Sequence, residues 1–87
     1  MAEIKVTEAM KVRTKNAVYL VEPVDVRGRP GHRVTKVEDF YPGGHPNVPL
    51  GGTWEGTNLY LEVGHYFYLG ALHSSVVQSV EPVEPQH

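Results

Sequence analysis

The stretch that decides the fold is Met10-Lys11-Val12-Arg13-Thr14-Lys15-Asn16-Ala17-Val18-Tyr19-Leu20-Val21. Its side chains alternate in character, the period-2 signature of a strand with one face on a core and the other in water. Read as a single strand, it sends Val12, Thr14, Asn16, Val18 and Leu20 to one face and Arg13, Lys15, Ala17, Tyr19 and Val21 to the other. Asn16, at the middle, marks a candidate bulge. Glu22-Pro23 is expected to end the strand, because proline has no N–H to give a ladder.

Outward from this segment the pattern repeats. Val24-Asp25-Val26 reads as an edge extension, and Arg27-Gly28-Arg29-Pro30-Gly31 as a turn. Strands are expected over 32–38 (HRVTKVE), 59–63 (LYLEV, with Leu59, Leu61 and Val63 inward), 65–72 (HYFYLGAL) and 74–80 (SSVVQSV). The last two are close enough to form a hairpin, and Gly64 permits a turn or bulge before them. A helical turn near Thr7–Met10 is the only helix candidate. Residues 39–58 form a long connection with five Gly and three Pro, read as a functional lid or a merely mobile loop.

Composition agrees. Valine fills 14 of 87 positions, joined by five Tyr, two Phe and one Trp, a β-rich usage. The expected architecture is all-β: a small antiparallel five-stranded barrel or roll, SH3-like or OB-like, with a long Gly/Pro-rich loop. It is expected to form one domain over residues 1–80, with an extended proline-containing tail over 81–87.

Several chemistries are excluded or disfavoured. With no cysteine there is no disulfide scaffold, thiolate metal site or cysteine nucleophile. The histidines His32, His45, His65, His73 and His87 show no metal-ligand spacing, so no metal or cofactor is expected. His73-Ser74-Ser75 is not a triad, since neighbours on a strand face opposite ways, and there is no G-x-S-x-G elbow. The glycine pairs Gly43-Gly44 and Gly51-Gly52 lack the lysine of a P-loop. An enzyme is not expected. No apolar run approaches the roughly 20 residues of a membrane span. Met1–Lys5 does not read as a signal peptide, so the expected location is cytoplasmic.

Charge is partitioned along the chain. All eight Lys and Arg lie at or before Lys36, with four acids among them, for a sum of +4; residues 37–87 hold six acids and no cation, for −6. A small anionic, nucleotide-like ligand needs only a few local cations and a stacking ring. Arg13, Lys15, Arg27, Arg29 and Arg33 are the candidate cations; Phe40, Tyr41 and Trp54 are the candidate stacking rings. His45, on the long loop, is the histidine placed to meet a ligand. Arg13 and Lys15 are expected on one face with Tyr19. Against this stands ordinary burial, in which Tyr19, Trp54, Phe67 and Tyr68 are core and the arginines are merely solvated.

Val12-Arg13-Thr14-Lys15-Asn16-Ala17-Val18-Tyr19, Gly52-Thr53-Trp54, Val63-Gly64 and Ser74-Ser75-Val76-Val77-Gln78-Ser79-Val80 together resemble small β-proteins of actinobacteria and their phages. Those open on V-R-T-x-N-S-x-Y and close on a T-S-x-V-V-x-V strand; Ala17 and Ser74 replace the Ser and Thr of that pattern. The resemblance hands over no catalytic residues. It implies a binding protein, with sequestration of a nucleotide-derived signal between subunits as the leading expectation; a homo-oligomer is the expected state because so small a core has neither disulfide nor metal to staple it. A protein-interaction module (a phage inhibitor, accessory or virion protein contacting a host protein) is the first alternative. Single-stranded nucleic-acid binding is the second, weakened by a sequence pI near 6.2.

Overall fold

The computed structural model describes residues 3–40 and 50–83. They are all-β, with no helix, in a seven-stranded antiparallel sheet that curls into a half-barrel. The strands are β1 (Met10–Thr14), β2 (Ala17–Val26), β3 (Arg29–Asp39), β4 (Thr53–Gly56), β5 (Leu59–Tyr60), β6 (Tyr66–Leu69) and β7 (Leu72–Pro82). Their order across the sheet is β4-β3-β2-β1-β7-β6-β5. Strands follow one another as an up-and-down meander, with β7 returning to β1, and lack the Greek-key crossing of an OB barrel.

The curl follows from the connectivity. β4 and β5 lie at opposite edges of the sheet, which in a flat seven-stranded sheet would be about 29 Å apart at six spacings of about 4.8 Å. Only Thr57 and Asn58 join them, so Gly56 and Leu59 are at most about 11 Å apart. The edges must therefore come round to each other, leaving a seam between β4 and β5. A Cβ placed on Gly56 would stand 3.2 Å from Leu69 Cδ1, so β4 reaches β6 across that seam. The N-terminal segment fastens to both sides: Ile4 N–H donates to Leu61 O at 2.7 Å, and His32 Nε2 lies 2.9 Å from Val6 O.

Residues 10–21 correct the single-strand reading. They form a hairpin that turns at Lys15–Asn16, with Arg13 paired to Val18 and Met10 to Val21. Thr14 makes the turn: its hydroxyl accepts from Asn16 N at 3.3 Å and Ala17 N at 3.1 Å and donates to Ala17 O at 3.2 Å. A two-residue loop shifts the parity of the alternation, so Val12 and Thr14 are buried before it and Ala17, Tyr19 and Val21 after it. Arg13 and Lys15 therefore point outward while Tyr19 points in, opposite to the shared face expected. The bulge lies at Arg13/Thr14 on the side facing β7.

This split, together with β4, raises the strand count from five to seven. Pro23 does not end β2, which continues to Val26 paired with β3. Pairing with β1 stops at Met10↔Val21, so Pro23 lies beyond the end of β1, where only β3 is its neighbour. Pro82 likewise closes β7 opposite Met10, beyond the reach of β6, so the expected tail begins as strand. The β2–β3 turn is only Arg27–Gly28, both in the left-handed region at φ 53° and 82°, the geometry of a type I′ hairpin. The expected 39–58 connection contains β4, paired to β3 from His32↔Gly56 to Thr35↔Thr53. Thr7–Glu8 forms a bend, not a helical turn. The hairpin between β6 and β7 is present, turning at Gly70–Ala71. Leu61 is buried and Leu59 and Val63 pack on the core as expected, although the ladder covers only Leu59–Tyr60.

The half-barrel is filled by Val12, Tyr19, Val21, Val34, Leu61, Phe67, Leu69, Leu72 and Val77. Tyr19 and Phe67 meet edge to face, centroids 5.0 Å apart. One charged pair lies inside this wall: Lys36, 2% exposed, donates to Asp39 Oδ2 at 2.6 Å.

Candidate functional site

The nine residues singled out from the sequence divide between two places, with two of them beyond description. Arg13 and Lys15 are at the β1–β2 hairpin, and Arg27 and Arg29 are at the β2–β3 turn. The ten residues of β2 separate those two turns by about 30 Å along the strand. Tyr41 and His45 lie outside the described residues.

At the first place, the Arg13 guanidinium stands 5.0 Å from the centroid of the Phe40 ring. Phe40 is positioned by its N–H, which donates to Asn16 O at 2.7 Å. Asn16 in turn donates from Nδ2 to Ser75 Oγ at 2.6 Å, tying the hairpin to β7. The ring face is already in use as a cation–π partner, worth about 0.5–1 kcal/mol when exposed.

At the second place, Val26, Arg27, Arg29, Glu55, Gly56 and Thr57 line an open depression of about 440 Å³. The type I′ turn sets it. Arg27 holds a left-handed backbone where asparagine, aspartate or glycine is usual, and so carries an arginine to the mouth of the depression. Gly31 is required beside it: a Cβ there would lie 2.6 Å from Gly56 O and 2.6 Å from Val26 Cγ2. Arg33 and Glu55, paired across β3 and β4, form an exposed ion pair with Nε 2.6 Å from Oε2. Among the described residues, neither Arg27 nor Arg29 has an ion-pair partner. The region therefore carries two uncompensated cations beside one neutralised pair.

Trp54 does not serve as a free stacking ring. It sits opposite Val34 and packs, half buried, against the core. Tyr68, which ordinary burial would place inside, is 42% exposed. Sequence reasoning missed the outer surface of β5–β7. Tyr60 pairs with Tyr68, and Tyr68 with His73, and their rings stack: centroids are 5.3 Å apart for the first pair and 5.4 Å for the second. The signal was present, because strict alternation through Tyr66-Phe67-Tyr68-Leu69 with Phe67 and Leu69 inward puts both tyrosines out. The Tyr60 hydroxyl donates to Glu62 Oε1, and that bond pushes the Tyr60 phenol up to about 12; burial and the Glu62 charge add to it. His65 Nε2 lies 3.6 Å from the second Glu62 oxygen.

Among the described residues no three His, Asp or Glu gather as a metal would require. His32 lies 2.9 Å from Val6 O through Nε2 and its Nδ1 is buried, a contact that ties β3 to the N-terminal segment. No helix among the described residues is long and apolar enough to cross a membrane. No family model, curated protein or solved structure matches the chain.

Proposed function

We propose that this chain is a non-enzymatic binding protein, of the small phage type, that sequesters a small anionic, nucleotide-like ligand. The observation that carries the reading is the pair of uncompensated arginines, Arg27 and Arg29, at the depression between the β2–β3 turn and β4. Guanidinium forks match phosphate oxygens two at a time. The volume, about 440 Å³, lies in the range of small-ligand sites. Arg33 is held by Glu55, which lines the depression, while Arg13, Lys15 and Phe40 stand apart from it. The depression is open on one side, and closure by a second copy belongs to the same proposal.

The test is calorimetric titration with inorganic phosphate and ribose 5-phosphate. Arg29→Ala and Arg27→Gly are each expected to weaken binding about 10-fold or more, since hydrogen bonds to charged groups contribute about 1.5–3 kcal/mol. Arg27→Gly suits a φ of 53° and leaves the fold intact. If the unmodified protein takes up neither anion, or both variants bind as the parent does, the reading fails. A single-stranded polymer would instead show a steep fall of affinity with salt.

A further inference from the structure

Residues 3–6 belong to no strand, yet they complete the core at the seam. They alternate as a strand does. Val6 is buried and Ile4 packs on the core, while Glu3 and Lys5 are exposed. The segment grips both walls of the seam. Ile4 N–H donates to Leu61 O, just past β5, and the His32 ring that meets Val6 O stands opposite Gly56 of β4. The seam is thus a groove for an extended peptide with aliphatic side chains two residues apart, which is the pattern of recognition by strand addition.

The core requires that the groove be filled, but the contacts in it do not require that a chain fill its own. Among the described residues, those two hydrogen bonds are what ties residues 3–6 to the sheet. The link to β1 is the bend at Thr7–Glu8, both exposed and neither in the left-handed region. Thr7 is β-branched and suits extended backbone. Ala9 already prolongs β1 beyond Met10, since its carbonyl accepts from Val83 N at 3.1 Å. Straightening the bend would continue that line and carry Ile4 about 17 Å beyond Ala9, clear of its own seam.

We propose that a second copy of this chain supplies the segment, so that two chains exchange residues 3–6 across their seams and form a closed two-fold dimer. Each contact in the groove is kept and only the bend changes, which makes such an exchange a low-cost route to a dimer. A second copy is favoured over an unrelated peptide because the groove is shown filled by Glu3-Ile4-Lys5-Val6, and every copy carries that sequence. The exchange does not depend on the anion reading, but it brings in the second copy which that reading places over the depression: Val6 is held by His32, opposite Gly56, a lining residue.

The test uses the unmodified chain. Isotope-labelled and unlabelled copies are mixed in urea, refolded together and concentrated to the millimolar range. Sedimentation is expected to show a dimer whose fraction rises with concentration. Isotope-filtered nuclear Overhauser effects are expected between Ile4 and Leu61, and between Val6 and His32, of different copies. A monomer throughout overturns the proposal, whether its groove keeps its own segment or yields it to an added peptide of unrelated sequence. A dimer in which those contacts are found only within one copy overturns it too. Intermolecular contacts in a protein that takes up no phosphate uphold the exchange and remove the anion reading alone.

Discussion

Replacing Asp39 with asparagine removes the charge opposite a lysine that is 2% exposed. Lys36 Nζ lies 2.6 Å from Asp39 Oδ2, and the carboxylate side is itself only 10% exposed, so water screens the pair little. Breaking such a pair by removing one partner costs about 3–5 kcal/mol. At roughly 0.05–0.15 kcal/mol per residue, an 87-residue domain holds about 4–13 kcal/mol in all. Asp39→Asn is therefore expected to lower the melting temperature by about 12–24 °C at the lower cost, at about 4–8 °C per kcal/mol. The damage is not confined to β3. Lys36 N–H donates to Gly52 O at 3.1 Å and its carbonyl accepts from Gly51 N at 2.8 Å, so the backbone that carries the pair also anchors the approach to β4. β4 carries Glu55 and Gly56, and phosphate affinity is expected to fall together with stability.

The assay is thermal and urea unfolding followed by far-ultraviolet circular dichroism, on Asp39→Asn and on the double variant Lys36→Met/Asp39→Leu. Removing both charges at similar volume is often neutral or stabilising, so the double variant is expected to recover most of what the single one loses. A single variant that costs less than about 1 kcal/mol would show that the pair behaves as an exposed one. A double variant as unstable as the single would locate the cost in packing instead of charge, and either result refutes the argument.

Gly31→Ala is expected to cost about 1–3 kcal/mol by overpacking, since its Cβ would meet Gly56 O and Val26 Cγ2 at 2.6 Å each, and to distort the arginine depression; urea midpoints and phosphate titration read the two effects. Thr14→Val keeps the shape of a buried side chain but leaves the N–H groups of Asn16 and Ala17 without their acceptor, for a loss of about 1–3 kcal/mol in chemical denaturation. In a phenolate absorbance titration, one tyrosine is expected to ionise near 12, and Glu62→Gln should move it down toward its ordinary value of 10. Tyr19 is also raised, by burial first and by the Asp39 charge second. A phenol whose pKa is higher in the folded state than in the unfolded chain contributes stability in full below pH 10. The contribution is lost as pH rises above that value, through the window from 10 to about 12 in the case of Tyr60, so unfolding midpoints should fall there and be flat from pH 7 to 9.

How much was legible in the sequence depends on what each signal constrains. Alternation constrains which residues are strand, and it located every strand but β4, a short run among glycines and prolines that local pattern does not mark. Alternation is blind to a turn that preserves local polarity: Lys15-Asn16 carries neither glycine nor proline, and its turn is made by local bonds of the Thr14 hydroxyl to residues two and three along the chain, which a polarity pattern does not report. Parity was the available clue, because Ala17, Tyr19 and Val21 continue an apolar face only if the phase changes after Thr14. Proline misleads for a related reason. Pro23 is expected to stop its strand, but a ladder loses nothing where the neighbouring strand has already ended, and strand lengths across a sheet are set by topology. The same limit governed the site. Composition found the arginines, and charge partition put them in one half of the chain, but only the curl of the sheet decides which of them meet. That curl brings β4 round toward β6, while Trp54, adjacent to Glu55 in sequence, is turned into the core. Nearness of a ring to a charge in sequence is thus weak evidence that the two share a site.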